Sequence, residues 1–463
     1  DKKEEKNLTI DFDGIVNRIV EIPTPAGSYA ALSTTADKIF YFRRGPKDEK
    51  FNLYSYNLKD LEETVLGESM GYAISDDQKK MLVRVGQSYG IISLPTAPIK
   101  IKDALDLSDM KVTLDRKAEW AQIFNEAWRQ MRDFFYAKNM HGVDWKEVKE
   151  LYSQLLPYVN HRADLTYIIG EMIGELNAGH AYVGGGDYPQ AARIALGLLG
   201  AQLEKDGSGF VKVKKILKGH NWEKELRSPL TEIGVNVKEG DYIIAINGRS
   251  VKEMQNIYEA LVDKAGKQVV LTVNSSASET GTRDVTVVPV ANEQNLYYLD
   301  WVEGNIEKVA KATNGRVGYI HIPDMGVNGL NWFAKYYYPQ LNKEALIIDD
   351  RGNGGGNVSP QILERLARTP VMMNYRRNSI HTFNPTGMHV GPKILLMDEF
   401  SASDGDIFPY RFRANKLGLL VGKRSWGGVV GISGSLPFVD GGYLNKPEFG
   451  PYDLAGKEWI MEG

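Results

Sequence analysis

Apolar and polar residues alternate in short runs over the first hundred residues, a pattern typical of β-strands. The runs at residues 38–42 and 80–83 each follow a turn containing an aspartate, and Asp37 and Asp77 stand 40 positions apart. A repeat of this length, built from turns and short strands, indicates blades of a β-propeller. Residues 1–105 would form about two of the at least four blades that a closed propeller needs. We therefore expect the chain to begin inside a larger propeller, with a small β-sandwich as the alternative.

The period of the apolar positions changes to that of an α-helix after residue 113. Trp120, Phe124, Ala127, Trp128 and Met131 fall at i, i+3 and i+4 spacing and form one apolar face. A capping-box pattern predicts a second helix after residue 144, and a third helix is predicted over residues 164–176, ending near a glycine. Residues 106–190 are therefore predicted to form a helical core subdomain.

Residues 191–292 are predicted to be rich in strands, with one helix. Residues 240–251 predict a strand closed by Asn247-Gly248, which is a strong hairpin signal. This stretch resembles the most recognisable part of PDZ domains, which bind a peptide as an added strand at a sheet edge. Residues 195–200 resemble the loop whose backbone amides hold a peptide carboxylate in such domains. A purely structural β domain is the alternative.

Residues 293–463 alternate between strands and helices. Residues 317–322 predict a strand, and continuous apolar runs at residues 345–349, 394–397 and 418–422 are expected for strands buried on both faces of a parallel sheet. This pattern predicts a layered α/β domain. The fold class is therefore multidomain: a partial β-propeller, a helical bundle, a PDZ-like domain and a layered α/β core.

Composition and charge exclude several function classes. The 463 residues include no cysteine, which removes disulfides and thiolate chemistry, and no histidine pair has the spacing of a zinc site. We therefore predict no cofactor and no metal. The net charge is −3, without the basic stripe of a nucleic-acid-binding protein. No apolar run approaches the roughly 18 residues of a membrane span. The charged run at residues 1–6 is predicted to be a solvated start and not a targeting signal.

Candidate chemistry lies in the loops that follow two of the predicted parallel strands. Ligands collect at the carboxyl ends of strands in open α/β sheets, so residues 350–357 and 398–406 should share one edge. The glycine-rich segment 352–356 allows close backbone approach and could offer amides to an oxyanion. It lacks the Gly-Lys-Ser/Thr ending of a phosphate-binding loop.

A serine and a histidine are the candidate reactive groups. Ser403 stands where a strand passes into a helix, which exposes a hydroxyl beside free amides. Capping the helix is the commoner role for such a serine, and Ser401 is the competing nucleophile. A serine nucleophile needs a base. Of the 7 histidines, His180 follows a helix stop and precedes a glycine run, while His321 is predicted to be structural.

Motifs spread over the whole chain together resemble the tricorn protease family. They lie at residues 131–145, 174–187, 401–406 and 422–429. The resemblance implies a serine endopeptidase that degrades oligopeptides or unfolded polypeptides, with an α/β core of the crotonase/ClpP-like type. It also implies a hexamer and a cytoplasmic location, with the periplasm as the alternative compartment.

The same resemblance implies a role for each candidate residue. Ser403 would be the nucleophile, His180 the general base, and Glu462 the carboxylate that orients the base. The oxyanion hole would be formed by the amide of Asp404 and by a glycine of residues 354–356. We favour Gly355 for that donor and include Gly356 in the predicted site.

Two departures from the family pattern affect the predicted base. The family has a serine before the base that relays between it and the glutamate, and here that position is Gly179. The family also continues past the glutamate, so we expect Glu462 to be poorly anchored. Two other functions remain open: a catalytically impaired relative that binds peptides through its PDZ-like domain, and an acyl-CoA-type enzyme.

Overall fold

The computed structural model describes residues 10–68 and 71–463, so the predicted solvated start at residues 1–6 lies outside the described part. The chain divides into two compact units, Asp1–Leu114 and Asp115–Gly463. In the described ranges no helix is both long and apolar enough to cross a bilayer. The predicted domain boundaries after residues 105, 190 and 292 stay predictions.

The first unit consists of two antiparallel sheets of consecutive strands. The four-stranded sheet has the order β1-β2-β3-β4 and the three-stranded sheet the order β5-β6-β7. Alternating apolar side chains from both sheets, Phe40, Leu53, Met81 and Val83 among them, form a buried cluster. The strands are β1 (Ser28–Thr34), β2 (Lys38–Arg44), β3 (Asn52–Asn57), β4 (Glu62–Gly67), β5 (Gly71–Ile74), β6 (Lys80–Val85) and β7 (Ser88–Ser93).

The second unit begins with three helices, α1 (Arg116–Phe134), α2 (Trp145–Ser153) and α3 (Arg162–Gly174). The side chains of Asp115 and Asp144 accept hydrogen bonds from backbone amides in the first turns of α1 and α2, which satisfies donors that a helix start leaves free. The five apolar positions that predicted α1 are all buried. After α3 the chain turns into the short strand β8 (Tyr182–Gly184).

An antiparallel sheet with the order β14-β13-β11-β10-β9 follows, and β12 pairs with β11. The predicted Asn247-Gly248 hairpin is confirmed: both residues have positive φ, 49° and 79°, as its tight turn requires. The described residues of this part contain no α-helix in place of the one predicted helix, but four short 3-10 segments, of which Ile257–Leu261 is the longest. The strands are β9 (Ala201–Lys205), β10 (Val211–Ile216), β11 (Tyr242–Ile246), β12 (Arg249–Ser250), β13 (Val269–Asn274) and β14 (Arg283–Val287).

The last part is a parallel sheet with the order β15-β16-β19-β20 and helices between its strands. These are the four predicted strands, but Gly418–Gly422 lies at the edge of the sheet and is largely exposed, so the expectation of burial on both faces is wrong for that strand. The elements are α4 (Gln294–Ala312), β15 (Val317–His321), α5 (Val327–Tyr337), β16 (Ala345–Asp349), α6 (Ser359–Leu366), β17 (Met372–Asn374), β18 (Thr382–Asn384), β19 (Lys393–Met397), α7 (Asp404–Ala414), β20 (Gly418–Gly422), β21 (Ser435–Pro437) and β22 (Tyr443–Asn445).

Two pairings position the candidate site. The strands β16 and β19 run side by side in parallel, so the loops after Asp349 and Met397 leave the same edge of the sheet, as predicted. The strand β8 joins a small sheet with the order β21-β22-β8. This second pairing brings the segment after α3, which contains His180, against the α/β part.

Candidate active site

Ser403 lies at the apex of the tight turn between β19 and α7. Its backbone has φ 56° and ψ −125°, a left-handed conformation that is uncommon for a residue with a Cβ atom. The turn is held by the Ser403 amide, which donates to the Gly427 carbonyl at 2.8 Å, and by the Ser403 carbonyl, which accepts from the amides of Asp406 and Ile407. Ser403 stands at the N-cap position of α7, yet its side chain makes no capping hydrogen bond. The hydroxyl is therefore free for another partner.

That partner is the imidazole of His180. The Nε2 atom of His180 lies 2.9 Å from the Oγ atom of Ser403, although the two residues are 223 positions apart in the chain. The competing nucleophile, Ser401, is fully buried, and its hydroxyl donates to the Asp350 carbonyl at 2.9 Å. The structure therefore brings Ser403 and His180 together and leaves Ser401 in a structural role.

The environment of His180 favours the neutral imidazole. Burial lowers the pKa of His180, and the negative charge of Glu462 partly opposes that shift. A neutral ring can take a proton on Nε2, so the geometry and the pKa both suit a general base. The second ring nitrogen, Nδ1, lies 3.3 Å from the hydroxyl of Tyr182.

Glu462 is firmly held, so the expectation of poor anchoring is wrong. Its Oε1 atom accepts hydrogen bonds from the backbone amides of Val429 and Val430 at 3.0 and 3.2 Å. Its backbone carbonyl accepts from Arg424 at 2.8 Å. These amides are not visible in a pattern of residue types, which is why the sequence did not reveal the anchor.

Glu462 makes no hydrogen bond with His180 in the described part of the chain. Glycine backbone lies beside the Glu462 carboxylate and the His180 ring. A Cβ atom built on Gly427 would stand 3.3 Å from the Glu462 Oε2 atom, and one on Gly428 would stand 3.3 Å from the His180 ring. A Cβ atom on Gly179 would stand 3.7 Å from the same Oε2 atom. The charge of Glu462 still raises the pKa of His180, without a hydrogen bond between the two side chains in the described residues.

The glycine-rich loop packs directly against Ser403. A Cβ atom on Gly355 would lie 2.5 Å from the Ser403 Cβ atom, and the φ of Gly355 is +94°, so only glycine fits. The Gly355 amide, however, donates to the Asn353 side-chain oxygen at 2.9 Å. It is therefore engaged, and the geometry does not support Gly355 as the oxyanion donor that we favoured.

Two other predicted donors have free amides. Gly356 pairs with Met325 in a parallel bridge that uses the Gly355 carbonyl and the Asn357 amide, so the Gly356 amide points away from Met325. Asp404 is the first residue of α7, where helical amides have no partner within the helix. Neither amide has a hydrogen-bond partner within residues 10–68 and 71–463.

The loop predicted to hold a peptide carboxylate is engaged inside the protein. The amide of Gly197 donates to the Leu261 carbonyl and that of Leu198 to the Val290 carbonyl, both at 2.8 Å. The amide of Gly200 donates to the side chain of Glu293 at 3.1 Å. A bound peptide would have to compete with these contacts.

The other groups in this region show no sign of a metal site. Among the residues that the structure describes, no group of three or more His, Cys, Asp or Glu side chains could hold a metal ion. His321 is buried, and its ring nitrogens meet the Tyr298 hydroxyl at 2.7 Å and the Arg351 carbonyl at 3.0 Å. This agrees with the structural role predicted for His321.

Three protein families match parts of the chain. The tricorn protease C1 domain matches residues 116–174, and the tricorn protease PDZ domain matches residues 197–292. Peptidase family S41 matches residues 316–463, which include both loops at the edge of the parallel sheet. The families thus follow one another in the order of the helical, PDZ-like and α/β parts.

Curated relatives match nearly the whole chain. Tricorn protease homolog 1 of Streptomyces coelicolor is 33% identical over 98% of this chain and 44% of its own length. The tricorn protease homolog of Saccharolobus solfataricus is 32% identical over 97% of this chain and 43% of its own length. A crystal structure of the tricorn protease superposes with a TM-score of 0.81 and 29% identity, covering 92% of this chain and 42% of that chain. The chain thus spans about two fifths of the length of these relatives.

Proposed function

The chain belongs to the tricorn protease family, and from this membership we propose that it carries the catalytic part of a serine peptidase. Ser403 is the proposed nucleophile and His180 the proposed general base. The observation that carries the proposal is the 2.9 Å contact between the His180 Nε2 atom and the Ser403 Oγ atom. A free serine hydroxyl is a weak nucleophile at neutral pH, and a neutral imidazole at this distance activates it.

The proposed reaction follows from this arrangement. The Ser403 Oγ atom attacks the carbonyl carbon of a peptide bond while its proton passes to the His180 Nε2 atom. The protonated imidazole then gives that proton to the leaving amine, which departs and leaves an acyl ester on Ser403. Water, deprotonated by His180, hydrolyses the ester and restores the serine.

The oxyanion formed during the attack needs hydrogen-bond donors. We propose the amides of Asp404 and Gly356, since both are free and the Asp404 amide opens helix α7. Loss of one such donor costs about 2.7–4 kcal/mol of transition-state stabilisation in a well-studied serine peptidase. The role of Gly355 is then spatial, because the absence of a side chain lets the loop approach Ser403.

The proposed substrates are oligopeptides or unfolded polypeptides, as expected from the resemblance to this family. The finer architecture is also part of the proposal: residues 1–105 as the end of a β-propeller, 106–190 as a helical bundle, 191–292 as a PDZ-like domain and 293–463 as the catalytic α/β core. We also propose that the protein forms a hexamer and is cytoplasmic, with the periplasm as the alternative compartment.

The two competing functions are less well supported. A peptide-binding relative without catalysis is not favoured, because the proposed dyad is in contact and the amides of the PDZ-like loop are engaged. An acyl-CoA-type enzyme is not favoured either, because residues 316–463 match a peptidase family.

The proposal is tested by replacing the nucleophile. Ser403→Ala should abolish cleavage of a fluorogenic peptide library while leaving the thermal unfolding transition in place. Ser275→Ala, at an exposed serine in the turn after β13, serves as the matched control and should retain activity. Cleavage by Ser403→Ala at the wild-type rate would overturn the proposal.

A further inference from the structure

The second ring nitrogen of His180 has a partner that no motif pointed to. The hydroxyl of Tyr182 lies 3.3 Å from Nδ1, and the two rings lie 5.8 Å apart at an angle of 54°. We propose that Tyr182 is the positioning residue of His180: its hydroxyl oxygen accepts a hydrogen bond from Nδ1–H and thereby keeps Nε2 unprotonated toward Ser403. This inference rests on the proposed function, since it concerns the same base.

An acceptor beside one ring nitrogen biases the tautomer of a neutral imidazole. One ring nitrogen carries a proton and the other accepts one, and the hydrogen bond made by the first decides the tautomer. For Nε2 to accept the proton of Ser403, the resting proton must be on Nδ1. An acceptor beside Nδ1 stabilises that tautomer and also fixes the rotation of the ring.

Glu462, the expected orienting group, does not reach Nδ1. One of its oxygens is held by the amides of Val429 and Val430, and its other oxygen faces the glycine backbone around residues 179 and 427. Gly179 has no side chain that could bridge the remaining gap. In the described part of the chain, the Tyr182 hydroxyl is the one hydrogen-bond partner of Nδ1.

Tyr182 is itself held in place by the sheet that joins the helical and α/β parts. It is the first residue of β8 and pairs in register with Asn445 of β22. Burial raises the pKa of Tyr182, so its hydroxyl stays protonated at neutral pH. A neutral phenol can accept from Nδ1 without adding a charge beside the base.

The two neighbours of His180 therefore act differently. Tyr182 determines where the Nδ1 proton sits and which way the ring faces, whereas Glu462 stabilises the protonated ring from a distance. Loss of the Tyr182 hydroxyl should lower kcat with little change in the pKa of the base. Loss of the Glu462 charge should lower the pKa of the base, because that charge raises it.

The test compares Tyr182→Phe with Tyr443→Phe. Tyr443 lies on the neighbouring strand β22 and is similarly exposed, 41% against 44% for Tyr182, so it is a matched control. We expect Tyr182→Phe to lower kcat about tenfold, the equivalent of one hydrogen bond, with KM nearly unchanged. Tyr443→Phe should keep the wild-type kcat.

A second measurement separates positioning from general damage. In protein with ¹⁵N-labelled histidine, the two ring nitrogens of His180, assigned with His180→Gln, should report the Nδ1–H tautomer in the wild type. Tyr182→Phe should shift the ring toward a mixture of tautomers, and its kcat/KM should keep the same pH midpoint. An unchanged tautomer together with wild-type kcat in Tyr182→Phe would overturn the inference.

The two proposals fail in different ways. If Ser403→Ala is inactive and Tyr182→Phe matches the wild type, the peptidase proposal stands and the role of Tyr182 is wrong. If the wild type itself shows no turnover, the tautomer still decides the role of Tyr182, because that readout needs no substrate.

Discussion

The placement of His180 beside Ser403 should depend on one buried ion pair. Arg162, at the start of α3, contacts Asp440, in the turn between β21 and β22, with its Nε atom 2.5 Å from the Oδ2 atom. Both side chains are only 2% exposed. The pair thus joins the helical part to the small sheet that carries β8. We predict that Arg162→Met loosens this connection and moves His180 away from Ser403.

The size of the effect follows from burial. Removing one partner of a buried ion pair costs about 3–5 kcal/mol, because the remaining charge stays in the interior. Asp440 would keep only its contacts with the amides of Gly442 and Asp187, at 3.0 and 3.4 Å. Total stabilities of domains are about 5–15 kcal/mol, so the loss would be a large fraction.

The assay is urea unfolding together with peptide cleavage. Arg162→Met should lose about 3–5 kcal/mol in the free energy of unfolding and most of its activity. The double variant Arg162→Met/Asp440→Asn should recover part of the stability, since it removes the unpaired buried charge while the side-chain oxygen can still accept from a backbone amide of Gly442 or Asp187. The control is Arg316→Met, which breaks a pair whose side chains are 63% and 65% exposed and should cost about 1 kcal/mol or less.

The pH adds an independent check on the ion pair. Burial would raise the pKa of Asp440, but the hydrogen bond and positive charge of Arg162, together with the backbone amides of Gly442 and Asp187, outweigh it and lower the pKa. A lowered pKa means that the pair stabilises the fold above the ordinary carboxyl pKa and loses that effect as the pH falls through the lowered value.

An Arg162→Met variant that unfolds at the wild-type urea concentration and keeps full activity would show that the ion pair does not hold His180 beside Ser403.

Three further predictions concern the proposed site. Gly355→Ala should reduce kcat about 100-fold, since its Cβ atom would meet the Ser403 Cβ atom at 2.5 Å and displace the nucleophile by about 1 Å. A wild-type kcat would show that the loop does not pack tightly against Ser403. Activity should rise with pH as His180 loses its proton, and the midpoint of kcat/KM should lie below pH 6.5 because burial lowers the pKa of His180. A midpoint above pH 6.5 would be inconsistent with His180 as the buried general base. Gly179→Ser should be more active than Gly179→Ala, because only the serine offers a hydroxyl near the Glu462 Oε2 atom. Equal activities would argue against a hydrogen-bonded relay from Glu462 through that hydroxyl to His180.

Elements with strong local patterns could be predicted from the sequence. The inner strand Ala345–Asp349 of the parallel sheet has no exposed residue and therefore appears as a continuous apolar run. Helix α1 shows its buried face as a 3.6-residue period, and its start is marked by Asp115. The shared edge of the two loops followed from the parallel pairing of their strands.

Features that depend on backbone direction or on distant pairing could not be predicted. The strand β8 has three residues, too few for a periodic signal, and its pairing with β22 crosses more than 250 positions of sequence. The amide of Gly355 is engaged because the Asn353 side chain turns back to it, which residue types alone do not reveal. Tyr182 carried only one clue, its position two residues after the predicted base.

A fluorophosphonate probe reports whether Ser403 is activated by His180. The probe reacts with activated serines, and intact mass followed by peptide mapping locates the adduct. We expect one adduct per chain, on Ser403, with the reaction strongly slowed in His180→Ala. A folded wild-type sample that forms no adduct, or forms one on another serine, would show that Ser403 is not the activated serine.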